Sequence, residues 1–354
     1  EAVNFDDRSW KVVSTPHTVE LMPAEGSGCR NYQGPAWYRK HFVLPAETKG
    51  QLVVLHFEAA MGKQILYLNG KRIQEHLGGY LPFTLDLTAN GVQAGDSCLL
   101  AVFTDNSDDK SYPPGKRQYT LDFAYHGGIY RDVWMIAKSP VAITDAIDSQ
   151  AVGGGGVFVH FDKISEKSAQ VYVNTEIQNE DVRTESVTVE TTLTDADGKV
   201  IKHCSGKLSL KPGEKKSIQQ QMEVKNPKLW SPDTPYLYKV QSRIKKGNKS
   251  MDGGITRVGI RLAEFRGKDG FWLNGKPFGQ LVGANRHQDF AYVGNALPNS
   301  QQWRDAKRLR DAGCTIIRVA HYPQDPAFMD ACDELGLFVI VATPGWQYWN
   351  KDPK

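Results

Sequence analysis

Cysteine is scarce in this sequence, and the few that occur form no recognisable pattern. The 354 residues contain five cysteines, at positions Cys29, Cys98, Cys204, Cys314 and Cys332. Their number is odd, they are widely spaced, and they include no Cys-x-x-Cys pair, so neither a disulfide framework nor a zinc site is indicated. We expect small buried apolar side chains at these positions, and we predict no metal and no cofactor.

Long apolar runs and a strong net charge are also lacking. No run of about 18 apolar residues occurs, so we predict no membrane-spanning helix and no membrane partner. Lys and Arg number 43 against 40 Asp and Glu, and the net charge of +3 is too small to indicate a nucleic-acid partner. The expected ligand is neutral. The start at Glu1 lacks a signal-peptide pattern, but a cleaved leader would leave no trace, so the compartment stays open.

Up to about residue 140, short apolar runs are separated by Gly, Pro and Asn. Segments 51–57, 64–68 and 98–103 hold four to seven apolar or β-branched residues, too few for a helix, and are predicted to be strands. Asn69-Gly70 is typical of a type I′ hairpin turn. Residues 1–140 are therefore predicted to form a jelly-roll β-sandwich.

Residues 141–262 are again strand-like but more polar. Alternating segments are separated by turn signals such as Asp197-Gly198 and Lys211-Pro-Gly213. Regular strands and turns over about 100 residues favour an immunoglobulin-like β-sandwich. The four glycines Gly153 to Gly156 are predicted to form a turn, because a phosphate-binding loop would need a strand-to-helix context.

Residues 263–354 alternate between strand and helix patterns. Strands are predicted at 281–285, 315–320 and 338–342. Between them, one helix is predicted from an Asn299 cap to Asp311, and a second from an Asp325 cap to Gly336. This alternation predicts a parallel sheet covered by helices. A closed (β/α)₈ barrel takes about 250 residues, and roughly a third of that remains here, so we predict the first part of a TIM barrel within a longer polypeptide. The alternative is a small α/β domain of another type.

Several short motifs stand out along the chain. In the first domain they are Tyr32-Gln-Gly-Pro-Ala-Trp-Tyr-Arg-Lys-His-Phe42, Tyr67-Leu-Asn-Gly-Lys71, His76-Leu-Gly-Gly-Tyr-Leu-Pro-Phe83 and Gly127-Gly-Ile-Tyr-Arg-Asp-Val-Trp134. Later ones are Leu229-Trp-Ser-Pro-Asp-Thr-Pro-Tyr-Leu-Tyr238, Gly259-Ile-Arg261, Phe271-Trp-Leu-Asn-Gly-Lys276, Gly283-Ala-Asn-Arg-His287 and Arg318-Val-Ala-His-Tyr-Pro323. These motifs resemble those of glycoside hydrolase family 2. The resemblance covers essentially the whole chain and implies a galactose-binding-like first sandwich and a retaining exo-glycosidase.

Four residues are candidates for the sugar site. His287 and His321 each follow a predicted barrel strand at its carboxyl end, where barrel enzymes bind substrate, and a neutral imidazole can both donate to and accept from sugar hydroxyls. The resemblance implies that Asp132 reaches the sugar pocket and that Arg318 holds the catalytic nucleophile. The alternatives are backbone contacts for the histidines, an Arg131 partner for Asp132 and a structural salt bridge for Arg318.

The catalytic carboxylates of a retaining glycosidase are not expected in this chain. The resemblance places both glutamates on later barrel strands, one of them in an Asn-Glu pair, so we expect them after Lys354. The pair Asn179-Glu180 belongs to the second domain and is predicted to form a turn. Glu334 is predicted to lie on a helix, away from the strand ends. The chain alone is therefore expected to be inactive.

The preferred sugar is inferred from a single residue of these motifs. Arg286 is more similar to the β-galactosidase form of the motif, so β-galactosides are preferred, while β-glucuronidase and β-mannosidase stay open. Gln288-Asp289 departs from the common pattern, and Trp346 and Trp349 are predicted either to stack on a sugar or to pack on the barrel rim. A non-catalytic carbohydrate-binding or scaffold protein is the alternative from another class. The resemblance implies a periplasmic or secreted bacterial setting and leaves a homo-oligomer open.

Overall fold

The computed structural model describes residues 2–23 and 32–343. The expectations for Cys29, Trp346 and Trp349 lie outside the described residues. The described chain folds into two β-sandwiches followed by a parallel α/β segment, as the strand and helix patterns predict. Neither of its two α-helices is both long and apolar enough to cross a membrane.

The first sandwich is built from two antiparallel sheets. Its strands are β1 (Pro35–Val43), β2 (Leu52–Phe57), β3 (Lys63–Leu68), β4 (Lys71–Leu77), β5 (Phe83–Asp86), β6 (Ser97–Asp105) and β7 (Val133–Lys138). One sheet has the order β1-β6-β3-β4 and the other β5-β2-β7. Alternate side chains, among them Phe57, Leu66 and Leu85, face inward and form a core that water does not reach. Asn69 and Gly70 both have positive φ and join β3 to β4, which confirms the predicted hairpin.

The second sandwich has longer strands. They are β8 (Val141–Ile143), β9 (Val157–Asp162), β10 (Ser168–Asn179), β11 (Glu185–Thr194), β12 (Val200–Leu210), β13 (Lys215–Lys225), β14 (Tyr238–Lys246) and β15 (Lys249–Val258). One sheet pairs β10 with β13, β8 and β9, and the other has the order β12-β11-β14-β15. Every second residue of β10 is buried, as expected for a strand with one face on the core. Asn179 is the last residue of β10, so the turn predicted for Asn179-Glu180 begins only at Glu180, and the side-chain amide of Asn179 donates to the carbonyl of Leu210.

The third region begins with a small antiparallel sheet and continues as alternating strands and helices. The small sheet contains β16 (Ala263–Phe265), β17 (Phe271–Leu273) and β18 (Lys276–Pro277). The elements that follow are β19 (Gly283–Arg286), α1 (Asn299–Asp311), β20 (Ile316–Val319), α2 (Pro326–Leu335) and β21 (Phe338–Val341). Strands β19, β20 and β21 pair in parallel, as predicted. Ile317, Val319 and Phe328 form the core beneath the two helices.

The helix caps agree with the sequence at one helix and differ at the other. Asp325 caps α2 by accepting from the backbone of Ala327 at 2.8 Å, and Gly336 ends it with a left-handed backbone, as predicted. The prediction that Asn299 caps α1 is wrong, because Pro298 occupies the N-cap. The side-chain amide of Asn299 donates to Asp132 instead.

The second sandwich is fixed to the α/β segment through a buried tryptophan and an arginine. Trp230 is 2% exposed, its indole N–H donates to the carbonyl of Asp333 at 2.9 Å, and its ring meets Phe338 edge-on. Arg257 of β15 pairs with Glu334 on α2. Glu334 therefore serves the domain contact, which agrees with its predicted absence from the strand ends.

Because α2 ends close to the second sandwich, we predict that a side chain at Gly336 would destabilise the fold. Its φ is +77°, and a Cβ there would overlap the carbonyl group of Pro232. Gly313, which follows α1, has φ +90° and open space around it. Gly313→Ala should cost about 1–2 kcal/mol for the left-handed backbone alone. Gly336→Ala should cost about 1–3 kcal/mol more because of the overlap. Equal shifts of the melting temperature for both variants would contradict this interpretation.

Candidate functional site

His287 and His321 meet at one edge of the parallel sheet. His287 directly follows β19, and His321 lies two residues after β20. Because the two strands are parallel neighbours, their carboxyl ends are at the same edge. The two imidazole rings are 5.3 Å apart between centroids and nearly perpendicular to each other. The structure therefore brings these two predicted site residues together.

Both histidines are held in the neutral form. Burial is the main cause that lowers the pKa of each ring below the usual 6.5, and the positive charge of Arg318 lowers both further. The carboxylate of Asp122 opposes this shift at both rings. The Nδ1 atom of His287 is buried and has no hydrogen-bond partner among the described residues. A ligand hydroxyl could satisfy it.

Arg318 lies on the same sheet and faces away from the helices. Its neighbours on β20, Ile317 and Val319, are completely buried under α1 and α2, so the alternation of the strand directs Arg318 to the other face. Asn285 of β19 and Ile340 of β21 lie level with it in the register. Arg318 is partly buried, and no carboxylate of the described residues lies within ion-pair distance of it. The structural salt bridge considered as its alternative is thus not formed there.

The first sandwich supplies one wall of this site. Phe123 is 6% exposed, and its ring stacks on His287 at 5.6 Å and lies 5.5 Å from the ring of His321. The neighbouring Asp122 places a carboxylate oxygen 3.9 Å from Nε2 of His321. The side chain of Asp122 is 70% exposed, so it can also reach a ligand in the opening.

Asp132 is placed differently from the sequence-based expectation. Its carboxylate accepts a hydrogen bond of 3.1 Å from Asn299 at the start of α1. The structure thus groups Asp122, rather than Asp132, with the two histidines. The sequence did not indicate Asp122, because Asp122 and His321 are far apart in the chain and come together only in the fold. The aromatic residues Phe123 and Tyr125 next to it were the local signal that could have drawn attention to this segment.

Arg131, considered as a partner of Asp132, instead contacts the loops of the histidine site. It is 3% exposed, and its Nη2 donates to the side-chain oxygen of Gln288 at 3.2 Å and to the carbonyl of Pro323 at 2.7 Å. Its Nη1 is 3.4 Å from the carbonyl of Tyr80. One guanidinium from the first sandwich therefore holds two loops of the α/β segment.

Arg286 makes a dense set of structural contacts. Its guanidinium, 6% exposed, donates to Gln324 at 2.6 Å, to Gln302 at 2.8 Å and to Asp305 at 2.7 Å. It also lies 4.0 Å above the ring of Phe328. These contacts fix the end of β19 to both helices, immediately before His287.

The site offers groups suited to a polar ligand, and no pair of carboxylates arranged for hydrolysis is seen there among the described residues. Neutral imidazoles, a cation and the open carboxylate of Asp122 offer donors and acceptors around one space. Retaining hydrolysis needs two carboxyl groups about 5–5.5 Å apart across the scissile bond. Among residues 2–23 and 32–343, no group of three or more His, Cys, Asp or Glu side chains is arranged to hold a metal ion.

Family models match almost the entire chain. The sugar binding domain of glycosyl hydrolases family 2 matches residues 4–140, a further family 2 domain matches 155–261, and the family 2 TIM barrel domain matches 265–350. The last match confirms that the third region is the start of a TIM barrel. The matches follow one another in the order that the sequence motifs predict.

Individual relatives agree with the family models. A β-galactosidase of Thermoanaerobacter pseudethanolicus is 35% identical over 98% of this chain and 44% of its own length. A β-glucuronidase of Formosa agariphila is 32% identical over 96% of this chain and 36% of its own. The crystal structure of a Bacteroides uniformis β-glucuronidase superposes with a TM-score of 0.88 at 31% identity, over 99% of this chain and 41% of that one.

The chain thus spans less than half of the length of these relatives. Three family models match consecutive parts of the chain, and the fold has the same three parts, so the resemblance is not due to chance. The chain belongs to family 2 of the glycosyl hydrolases.

Proposed function

We propose that this chain forms the amino-terminal part of a retaining exo-glycosidase that hydrolyses terminal β-galactosides. The observation that carries the proposal is the meeting of His287 and His321 at the carboxyl ends of two adjacent barrel strands. Neutral imidazoles match the hydroxyls of an uncharged hexose, because each ring can donate one hydrogen bond and accept another. Asp122 and Phe123 would close the pocket from the first sandwich.

The two catalytic glutamates would be contributed after Lys354. One would protonate the leaving oxygen while the other attacks the anomeric carbon, and water would then release the sugar with its configuration retained. Arg318 would pair with the nucleophile and keep it ionised. Two apolar side chains on β21, Ile340 and Val341, are about half exposed, as expected for a surface that further barrel strands cover. This chain alone would bind weakly and would not hydrolyse.

A β-glucuronide is the second candidate substrate. It is favoured by Arg318, whose cation has no carboxylate partner among the described residues and could pair with a uronate carboxylate. It is also the substrate class named for several relatives, including the Bacteroides uniformis enzyme. The galactoside is preferred because the same cation would be needed by the nucleophile.

The first test uses nitrophenyl glycosides and the full-length protein. A β-galactoside should give the highest kcat/KM, a β-glucuronide should rank below it, and the product should retain the β configuration in NMR spectra. Inactivity on every β-glycoside would contradict the proposal and favour a carbohydrate-binding protein without catalysis. A β-glucuronide ranked first would replace the galactoside with the second candidate.

Substitution of the histidines tests their role directly. His287→Ala and His321→Ala should each lower kcat/KM by about 10- to 100-fold, the loss expected when a ligand loses about 1.5–3 kcal/mol of hydrogen bonding. His203→Ala is the matched control, because His203 is an exposed residue of β12 in the second sandwich. A histidine variant that behaves like this control would remove that histidine from the site.

Substitutions of Asp122 and Asp132 should affect kcat/KM differently. Asp122→Asn should lower kcat/KM by about tenfold or more, because Asp122 lies beside the histidine pair and loses its charge as an acceptor. Asp132→Asn should have little effect, because an amide oxygen can still accept from Asn299. A larger loss for Asp132→Asn would restore the expectation based on the sequence motif.

The lowered pKa values of His287 and His321 predict how sugar binding depends on pH. Their pKa lies below 6.5 in the folded chain, so each ring becomes half protonated only at a pH below 6.5. Galactose affinity of the full-length protein, measured by calorimetry between pH 5 and 8, should therefore fall on the acid side with a midpoint below pH 6.5. Arg318→Gln should move this fall to higher pH, because Arg318 lowers both pKa values. A fall centred above 6.5 in the unmodified protein would contradict the assignment.

A further inference from the structure

The guanidinium of Arg131 connects the first sandwich to both loops that carry the site histidines. Gln288, its acceptor at 3.2 Å, directly follows His287 in the sequence. Pro323, whose carbonyl accepts at 2.7 Å, lies two residues after His321. The two loops follow different barrel strands, whose backbone pairing extends to Arg286 and Ala320, directly before the histidines. Beyond that point, a single buried group that holds both loops can fix their relative position.

The surroundings of Arg131 fix this group in one position. Gln288 is fully buried and Arg131 is 3% exposed, so water cannot replace their contact. Tyr322, between His321 and Pro323, stacks face to face on Tyr80 of the first sandwich at 4.3 Å. The backbone N–H of Gln288 lies 3.5 Å from the hydroxyl of Tyr322 and so joins the two loops to each other.

We propose that Arg131 is a positioning residue that sets the spacing of His287 and His321, so that the first sandwich controls the geometry of the sugar site. The proposal rests on the proposed function for its effect on hydrolysis. A guanidinium presents several N–H groups in a fixed plane and can reach two acceptors at once, whereas a lysine ammonium is a single point of charge. A displacement of about 1 Å at a reacting centre can lower a rate by about 100-fold.

The alternative is that Arg131 only holds two domains together. Arg257 provides the matched comparison, because it also joins a sandwich to the α/β segment. It pairs with Asp330 at 2.9 Å and with Glu334, both on α2 and not on the loops that carry the histidines. If domain attachment were the only role, conservative changes at Arg131 and Arg257 should affect catalysis alike.

The experiment compares Arg131→Lys with Arg257→Lys in the full-length enzyme. Arg131→Lys should lower kcat/KM for nitrophenyl β-galactoside by about 10- to 100-fold, whereas Arg257→Lys should change it by less than about twofold, as for a contact remote from the site. Lysine keeps the charge and most of the length, so the folded state should survive, and melting temperatures check this. Equal losses in the two variants would overturn the proposal.

A second measurement does not require hydrolysis. Histidine ring signals of the same proteins are titrated by NMR and assigned from His287→Gln and His321→Gln. If Arg131→Lys loosens the loops, water enters and the pKa of both rings should rise toward 6.5, because burial is the main cause that lowers it. The charged groups that face the rings, Arg318, Arg286, Asp122 and Asp289, are the same in both proteins and would not cause this rise. Arg257→Lys should leave the signals in place. Unchanged pKa values in Arg131→Lys would overturn the proposal. This measurement tests the position of Arg131 even if the unmodified protein hydrolyses no glycoside.

Discussion

The parallel pairing of β19 with β20 is the constraint on which the site depends. It aligns Asn285 with Arg318 and brings the ends of both strands to the same edge, so that His287 and His321 leave the sheet side by side. An antiparallel arrangement would send the two histidines to opposite ends. The helices that follow each strand bury the other face and leave this edge and the Arg318 face open to a ligand.

The first sandwich adds further side chains to the site at the ends of the parallel strands. Phe123 and Asp122 reach the histidine rings, and Arg131 holds the loops behind them. A buried guanidinium is costly to remove from water, and here carbonyl and amide oxygens compensate much of that cost. Arg286 follows the same principle with a nearby carboxylate, Asp305. Both arginines therefore place a buried charge close to the histidines, where its hydrogen bonds hold the neighbouring loops and strand end in position.

Much of the fold could be predicted because its signals are local. The Asn69-Gly70 turn, the Asp325 cap with Pro326 and the alternation along β10 all reflect the preferences of neighbouring residues. The site was predictable only in part. The histidines follow strands and could be found from that position, whereas the proximity of Asp122 to His321 arises from the packing of two domains and has no local pattern.

The same distinction explains the difference at Asn299. Its sequence context is typical of a helix cap, but its amide is used by Asp132 across the domain boundary, and Pro298 takes the cap position. Tertiary packing thus overrides local preference where the first sandwich meets the barrel. This boundary is also where the proposed sugar site lies.

A crystal structure of the full-length protein with its monosaccharide product bound would test the proposed site. Sugar hydroxyls should lie within hydrogen-bond distance of the rings of His287 and His321, and a catalytic carboxylate should pair with Arg318. A sugar bound elsewhere, or imidazoles that make no contact with it, would show that these strand ends do not form the sugar site.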